Sequence, residues 1–277
     1  MTSHDALPMP LVEQALDRMG LEAMPTEDPE GLTVLYRAWC RSVPFDNTQK
    51  LIALHGQGGY GALPGMDAGD FLRTWLRHGT GGTCFPSANA LHELALSCGF
   101  DSRVVLGSMW DMGMPTHGTT VVDIEGSSWL IDSSMLTDVP LQLAEQTPTS
   151  IDHPVHASTA EPVEEGWLLH FSAPYADDLR IPCRTLSPST VDQATLVERF
   201  EASRESSPFN ISPSTRRNDD AGVISYGGGK RYRRTVAGVE ESDLTGDELS
   251  IALVEELGLS EEIVQRLAEV LDGDTTA

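Results

Sequence analysis

"HGTGGTCFPSANALHEL", residues 78–94, sets Cys84 between a loop carrying three glycines and an Ala/Leu-rich run. Pro86 has no amide proton to donate and fits only the opening turn of a helix, and Thr83 is a residue type that caps helix starts. The run through Ala88, Leu91, Leu94 and Ala95 to Gly99 therefore reads as a buried helix beginning near Cys84. A thiol attacks as its thiolate, a form favoured both by the positive end of a helix and by a nearby imidazole. Backbone amides of the same turn would face an oxyanion forming beside the sulfur.

Upstream, the chain reads as helical. "PLVEQALDRMG" places Leu11, Val12, Ala15, Leu16 and Met19 on one stripe and stops at Gly20. "GLTVLYRAWCRSV" repeats the pattern and breaks at Pro44, and "GDFLRTWLRHG" gives a third short helix ending at Gly79. Downstream of residue 101 the period changes to two. "SRVVLGSMW", "HGTTVVDI", "SWLIDSS" and "GWLLHFSA" read as strands. Residues 140–166, rich in Pro, Thr and Glu, read as a surface excursion, and 188–220 as a short helix, "TLVERFEA", with a polar loop. A hairpin around Gly227 leads to two final helices, one opening with the capping box "TGDE" at 245–248 and the other at Ser260.

A base for Cys84 is sought on the strands. In "THGTTVVDIEGSSWLIDSS", a reversal centred between Ile124 and Glu125 sets His117 directly opposite Asp132 on one face. The carboxylate would hold one imidazole tautomer while the other ring nitrogen faces the thiol. A reversal centred one residue later weakens that contact. From the residues alone two readings stay open: a Cys84/His117/Asp132 triad, or an inert core thiol with His117 a polar strand end.

Composition narrows the field. A formal charge of −24 argues against nucleic acid as a partner. No apolar run is long enough for a membrane span, and the N-terminus lacks a secretory pattern. Cys40, Cys84, Cys98 and Cys183 show neither zinc-site nor disulfide spacing, so a reducing cytoplasm is expected, with Cys40, Cys98 and Cys183 in the core. The one basic cluster, "GGGKRYRR" at 227–234, reads either as a hairpin with a solvated edge strand or as a landing place for a phosphate-bearing group such as coenzyme A. No metal site is expected: "HPVH" at 153–156 lacks a third ligand, and His92-Glu93 lacks the second histidine of a zinc-protease helix. "GQGGYGALPG" at 56–65 reads as a loop rather than a phosphate cradle, and His78 as a helix-end cation or a residue at the site's mouth.

The order Cys, His, then Asp fifteen residues on resembles the arylamine N-acetyltransferases, within the wider transglutaminase-like cysteine fold. "VPFDN" is similar to that family's Pro-Phe-Glu-Asn turn, and "GGTCF" with "CGFDSRVVLG" to its nucleophile segment and following strand. "WLIDSSMLTDVPLQL", "SPFNISP" and the last sixty residues continue the likeness. The resemblance implies an α+β fold: an N-terminal helical bundle (1–99), a central antiparallel β-barrel carrying His and Asp (100–200) and a C-terminal α/β lid (201–277). It also implies ping-pong acyl transfer through a Cys84 thioester, with His117 as general base and acid and Asp132 as orienter. Acetyl-CoA or another acyl thioester would be the co-substrate, with no permanently bound cofactor, and a small-molecule amine or hydroxylamine the acceptor. Phe45, Thr83, Phe85 and Met135 would line the substrate pocket, and Lys230 and Arg231 would meet the coenzyme. An amide synthase releasing or cyclising a polyketide from an acyl carrier protein is the alternative. A binder that kept the fold without the chemistry, and a thioester hydrolase, are further rivals.

Departures from the family pattern bear on the acceptor. The arginine before Gly-Gly is Thr80, the polar residue two places after the cysteine is Pro86, and the turn glutamate is Asp46. The family's Asp-Val-Gly-aromatic becomes "DSSML", with Met135 where an aromatic shapes the pocket. An amine other than a simple aromatic one, or an acyl group larger than acetyl, is expected.

Overall fold

The computed structural model describes residues 6–56, 61–186 and 191–274. Helices α1 (Met9–Arg18), α2 (Pro29–Ser42), α4 (Ala68–His78) and α5 (Cys84–Ser97) arise where the 3.6-residue stripes place them, with a shorter α3 (Thr48–His55) between. Asp28 caps α2 by accepting from the Gly31 amide at 2.8 Å, and Pro29 occupies the first helical turn. Tyr36, Trp39, Trp75, Leu91 and Leu94 are almost fully buried where α2, α4 and α5 meet. Gly81 shows why the nucleophile loop needs glycine: a Cβ there would stand 1.7 Å from the Pro44 carbonyl oxygen. That close approach bridges Gly82 to Phe45 of the two-residue strand β1 (Phe45–Asp46).

Eight antiparallel strands follow: β2 (Asp101–Met109), β3 (His117–Ile124), β4 (Ser127–Ile131), β5 (Leu141–Leu143), β6 (Thr149–Ile151), β7 (Ser158–Val163), β8 (Gly166–Ser172) and β9 (Arg180–Thr185). Their order is β5-β4-β3-β2-β9-β8-β7-β6, and β5 also lies against β6 and β7, so the sheet curls into a nearly closed barrel. Val105, Val121, Leu130, Leu169 and Phe171 fill it. Residues 140–166 are thus not a surface excursion. Leu141 and Leu143 point inward on β5, and β6 and β7 extend the sheet. The three-residue lengths of β5 and β6, with prolines before them, and Pro162 inside β7 hide a period of two. In β9, Pro182 sits beyond the pairing with β2, which uses only Cys183, Arg184 and Thr185, so its missing amide breaks no ladder bond there.

Helix α6 (Gln193–Ser206) returns to the helical side, where Leu196 and Phe200 pack with Phe85 and Ala88 of α5. A 3₁₀ turn, Pro208–Asn210, leads into β10 (Ser214–Asp219), β11 (Gly222–Gly227), β12 (Lys230–Thr235) and β13 (Gly238–Asp243). These four join β1 in a second sheet, ordered β1-β10-β11-β12-β13. The basic strand β12 is therefore interior rather than an edge. Helices α7 (Gly246–Glu255), opened by the Thr245/Glu248 capping box, and α8 (Glu261–Asp274) cover that sheet together with α3. Leu51 and Ile52 of α3 pack with Leu253, Ile263 and Leu267, tying residues before the nucleophile to the C-terminal layer.

Candidate active site

Cys84 is the first residue of α5, behind Thr83 in extended conformation. Thr83 holds the capping position without a capping side-chain bond; its carbonyl instead accepts from the Ser87 amide at 3.1 Å. Gly118, next to His117 on β3, lets the helix start approach the barrel, because a Cβ there would meet Phe85 at 3.0 Å.

His117 and Asp132 meet, although their register differs from the expected one. The hairpin turns at Glu125 and Gly126, both with positive φ (50° and 79°), a two-residue reversal that puts Val121 opposite Leu130. His117 and Asp132 then stand as diagonal neighbours on one face, and a long imidazole spans the gap. His117 Nε2 lies 2.7 Å from Asp132 Oδ2. Cys84 Sγ is 3.8 Å from the Thr116 carbonyl oxygen, in the residue before His117, and both Cys84 and His117 line one cavity. Asp132 Oδ1 accepts from the amides of Ser134 at 2.9 Å and Met135 at 2.7 Å, while Tyr36 Oη donates to its carbonyl at 2.8 Å.

Electrostatics follow from that geometry. Burial works against charge on His117, but the Asp132 carboxylate beside it outweighs burial and raises its pKa well above the usual imidazole value. Burial likewise opposes charge on Asp132, yet His117 and the two amides hold its pKa down at about 2. The other three thiols are core residues, with burial pushing Cys98 and Cys183 up to about 11 and Cys40 upward too.

Cys84 and His117 open onto a cavity of about 320 Å³. Phe45, Thr83, Phe85 and Met135, the residues expected of a substrate pocket, all line it. Lys230 and Arg231 do not. Lys230 pairs with Glu241, and Arg231 with Glu256 at 3.0 Å, so carboxylates of their own layer occupy both cations. His78 lies elsewhere, its Nδ1 2.9 Å from Ser260 Oγ.

Other cavity residues escaped the sequence reading. Met109, Trp110, Met112 and Met114 form an apolar lip, the last three about half exposed, whose only signal was the density of Met and Trp in "SMWDMGMP". Lys50, Arg199 and Arg216 add cations that no local pattern marks, because distant elements bring them together. A second cavity, about 330 Å³, lies behind the nucleophile loop among Asp46, Gln49, Gly82 and Pro86. Where the resembled pattern has arginine, Thr80 is buried and its hydroxyl accepts from Gln49 Nε2 at 3.4 Å. Asp46 Oδ1 accepts from the Thr48 amide at 2.5 Å, whereas Oδ2 is buried without a partner among the described residues. Burial raises the Asp46 pKa.

Among the described residues, no group of three or more His, Cys, Asp or Glu could hold a metal ion, and no helix is long and apolar enough to cross a membrane. His153 and His156 stack at 5.1 Å. The middle of the glycine-rich stretch, 57–60, lies outside the described residues.

A family model described as N-acetyltransferase matches residues 28–263. The chain belongs to the arylamine N-acetyltransferase family. Solved family structures share its fold at low identity. The Mycobacterium marinum arylamine N-acetyltransferase in complex with CoA is 18% identical, with a TM-score of 0.81 over 95% of this chain and 98% of that one. The Salmonella typhimurium enzyme is 19% identical, with a TM-score of 0.78 over 95% and 98%. An arylamine N-acetyltransferase from Bacillus cereus, described as having a unique Cys-His-Glu catalytic triad, is 17% identical, with a TM-score of 0.69 over 90% and 98%. No curated protein sequence matches the chain. As an arylamine N-acetyltransferase family member, this chain carries aspartate, Asp132, beside its site histidine.

Proposed function

We propose that the protein transfers an acetyl group from acetyl-CoA to an amine through a thioester on Cys84. The observation that carries this reading is the His117–Asp132 hydrogen bond placed on the same cavity as Cys84, which stands at a helix N-terminus. Family membership and the CoA bound by the Mycobacterium marinum enzyme support the choice of donor.

In the first half-reaction His117 takes the Cys84 proton, and the sulfur attacks the acetyl carbonyl. The bond from that carbon to the CoA sulfur breaks, and the CoA thiolate leaves with the proton returned by His117. Asp132 keeps Nε2 as the protonated nitrogen and stabilises the transient imidazolium. Amides of the first turn of α5, which have no partner within the helix, face the carbonyl oxygen as charge builds on it. In the second half-reaction the amine attacks the thioester. His117 accepts its proton, and the electron pair of the breaking C–S bond returns to Cys84.

Initial rates at several fixed acetyl-CoA concentrations should give parallel double-reciprocal lines, and Cys84→Ser should lose about a thousandfold or more in turnover. Converging lines, which require both substrates bound at once, would contradict the proposal.

A further inference from the structure

Lysine and arginine together number 18 in this chain, and all but Lys50 and Lys230 are arginine. An arginine stays charged, whereas a lysine can shed its proton and become a nucleophile. Lys230 lies on β12 against Glu241, away from the cavity beside Cys84. Lys50 is 4% exposed on α3 and lines that cavity together with Cys84. No step of acetyl transfer uses it.

Its surroundings leave the amine uncommitted. Among the described residues Lys50 forms no ion pair. Its Nζ donates to Ser203 Oγ at 2.8 Å, on the wall of the same cavity. Glu201, an acid whose charge acts on Lys50, is tied to Arg204 at 2.6 Å and to the Leu63 amide. Burial outweighs that acid and lowers the Lys50 pKa to about 8. About a tenth of the side chain is then neutral amine at pH 7, against roughly a thousandth or less for a lysine in water. Cys84 is another group whose charge acts on Lys50. The flexible lysine stem is held at its end by Ser203, a hydroxyl it can leave by a change of rotamer.

We propose that Lys50 is a self-acetylation site: when no acceptor amine arrives, the acetyl group on Cys84 passes to Lys50 Nζ and silences the enzyme. This rests on the Cys84 thioester reading. The neutral Nζ attacks the thioester carbon, a C–N bond forms, and the C–S bond breaks with its electron pair on the Cys84 sulfur. The proton that Nζ sheds passes by way of His117 to that sulfur, so no further reactant is needed. Sharing one enclosed cavity makes the transfer unimolecular, which favours it over direct attack on acetyl-CoA from solution. The product is an amide, which does not turn over as the thioester does. It removes a cation from the cavity wall and adds an acetyl group in its place.

The test holds the wild-type protein with acetyl-CoA for hours without amine and maps the acetyl groups by peptide mass. A second increment of about 42 Da should follow the first and fall on Lys50, with amine acetylation lost in step. Neutral hydroxylamine should strip the Cys84 thioester and leave the Lys50 amide. Lys50→Arg keeps the charge without the nucleophile, and it should take the first increment, gain no second and hold its starting rate throughout. Cys84→Ser should leave Lys50 unmodified, and the exposed Lys230 should stay unmodified in every sample. Cys84 acetylated with Lys50 untouched, or a second increment on another residue, would overturn the proposal and leave the thioester reading intact. Equal acetylation of Lys50 in Cys84→Ser, or of Lys230 at the same pace, would show direct reaction with acetyl-CoA and overturn it too. Absence of an adduct on Cys84 would bring down both.

Discussion

Asp132 is held on three fronts: by His117 at one carboxylate oxygen, by the Ser134 and Met135 amides at the other, and by Tyr36 at its carbonyl. Asn in its place keeps the acceptor for those amides but loses the charge. His117, whose pKa is raised in the fold, contributes stability fully below its unfolded value, which is about 6.5. That contribution fades as pH rises through the raised folded value. Asp132, held at about 2, contributes above its ordinary 3.8 and loses that contribution as pH falls toward 2. The gap in stability between wild type and Asp132→Asn should thus be widest between about pH 4 and 6.5, on the order of 3 kcal/mol, and narrow toward either side. Urea titrations across pH measure it, and a gap unchanged into alkaline solution would contradict the pairing. Turnover should fall by about a thousandfold or more in the same variant. The two residues were legible in sequence as strand-borne partners. Their exact register was not, because Glu125 adopts a positive φ that favours Asn or Gly and that nothing in its side chain announces.

Two elements place the sulfur: the glycine loop before α5 and the strand β3 that receives the helix start. Gly81 against the Pro44 carbonyl is the tightest of these contacts. Gly81→Ala should destabilise the protein by about 2 kcal/mol or more and slow Cys84 alkylation or acylation with it, whereas Gly246→Ala, with open space around its Cβ, should stay within about 0.5 kcal/mol. Thermal melts of both variants decide it; equal melting would mean that the loop does not lean on β1. The start of α5 was readable because Pro86 fits only the opening turn of a helix. Strands β5, β6 and β9 were not, since three-residue strands and an internal proline carry no periodic signal, and the barrel alone gives them partners. Helix α3 escaped for a related reason. Its eight residues bury Lys50 beside Leu51 and Ile52, a polar residue on the inner face that only the assembled site explains.

Across the whole molecule, β1 and α3 stitch the helical part to the C-terminal sheet, and the active cavity sits at that seam. Such a site cannot be read from any single segment: Cys84 opens α5, His117 opens β3 and Asp132 follows β4, while Lys50, Arg199 and Arg216 come from three more elements. The acidic surface adds a long-range effect. A charge of −24 repels acetyl-CoA at a distance, and salt screens that repulsion beyond a Debye length, about 10 Å at 0.1 M. The value of kcat/KM for acetyl-CoA should therefore rise as ionic strength increases from about 10 to about 150 mM, and a steep fall would point to an exposed cationic docking site instead.

The most direct test of the central claim is the intact mass of the protein after brief exposure to acetyl-CoA without amine. One acetyl increment, about 42 Da, should appear on Cys84, vanish on addition of an acceptor amine, and be absent in Cys84→Ser. An unmodified Cys84 under conditions where amine acetylation proceeds would contradict the account.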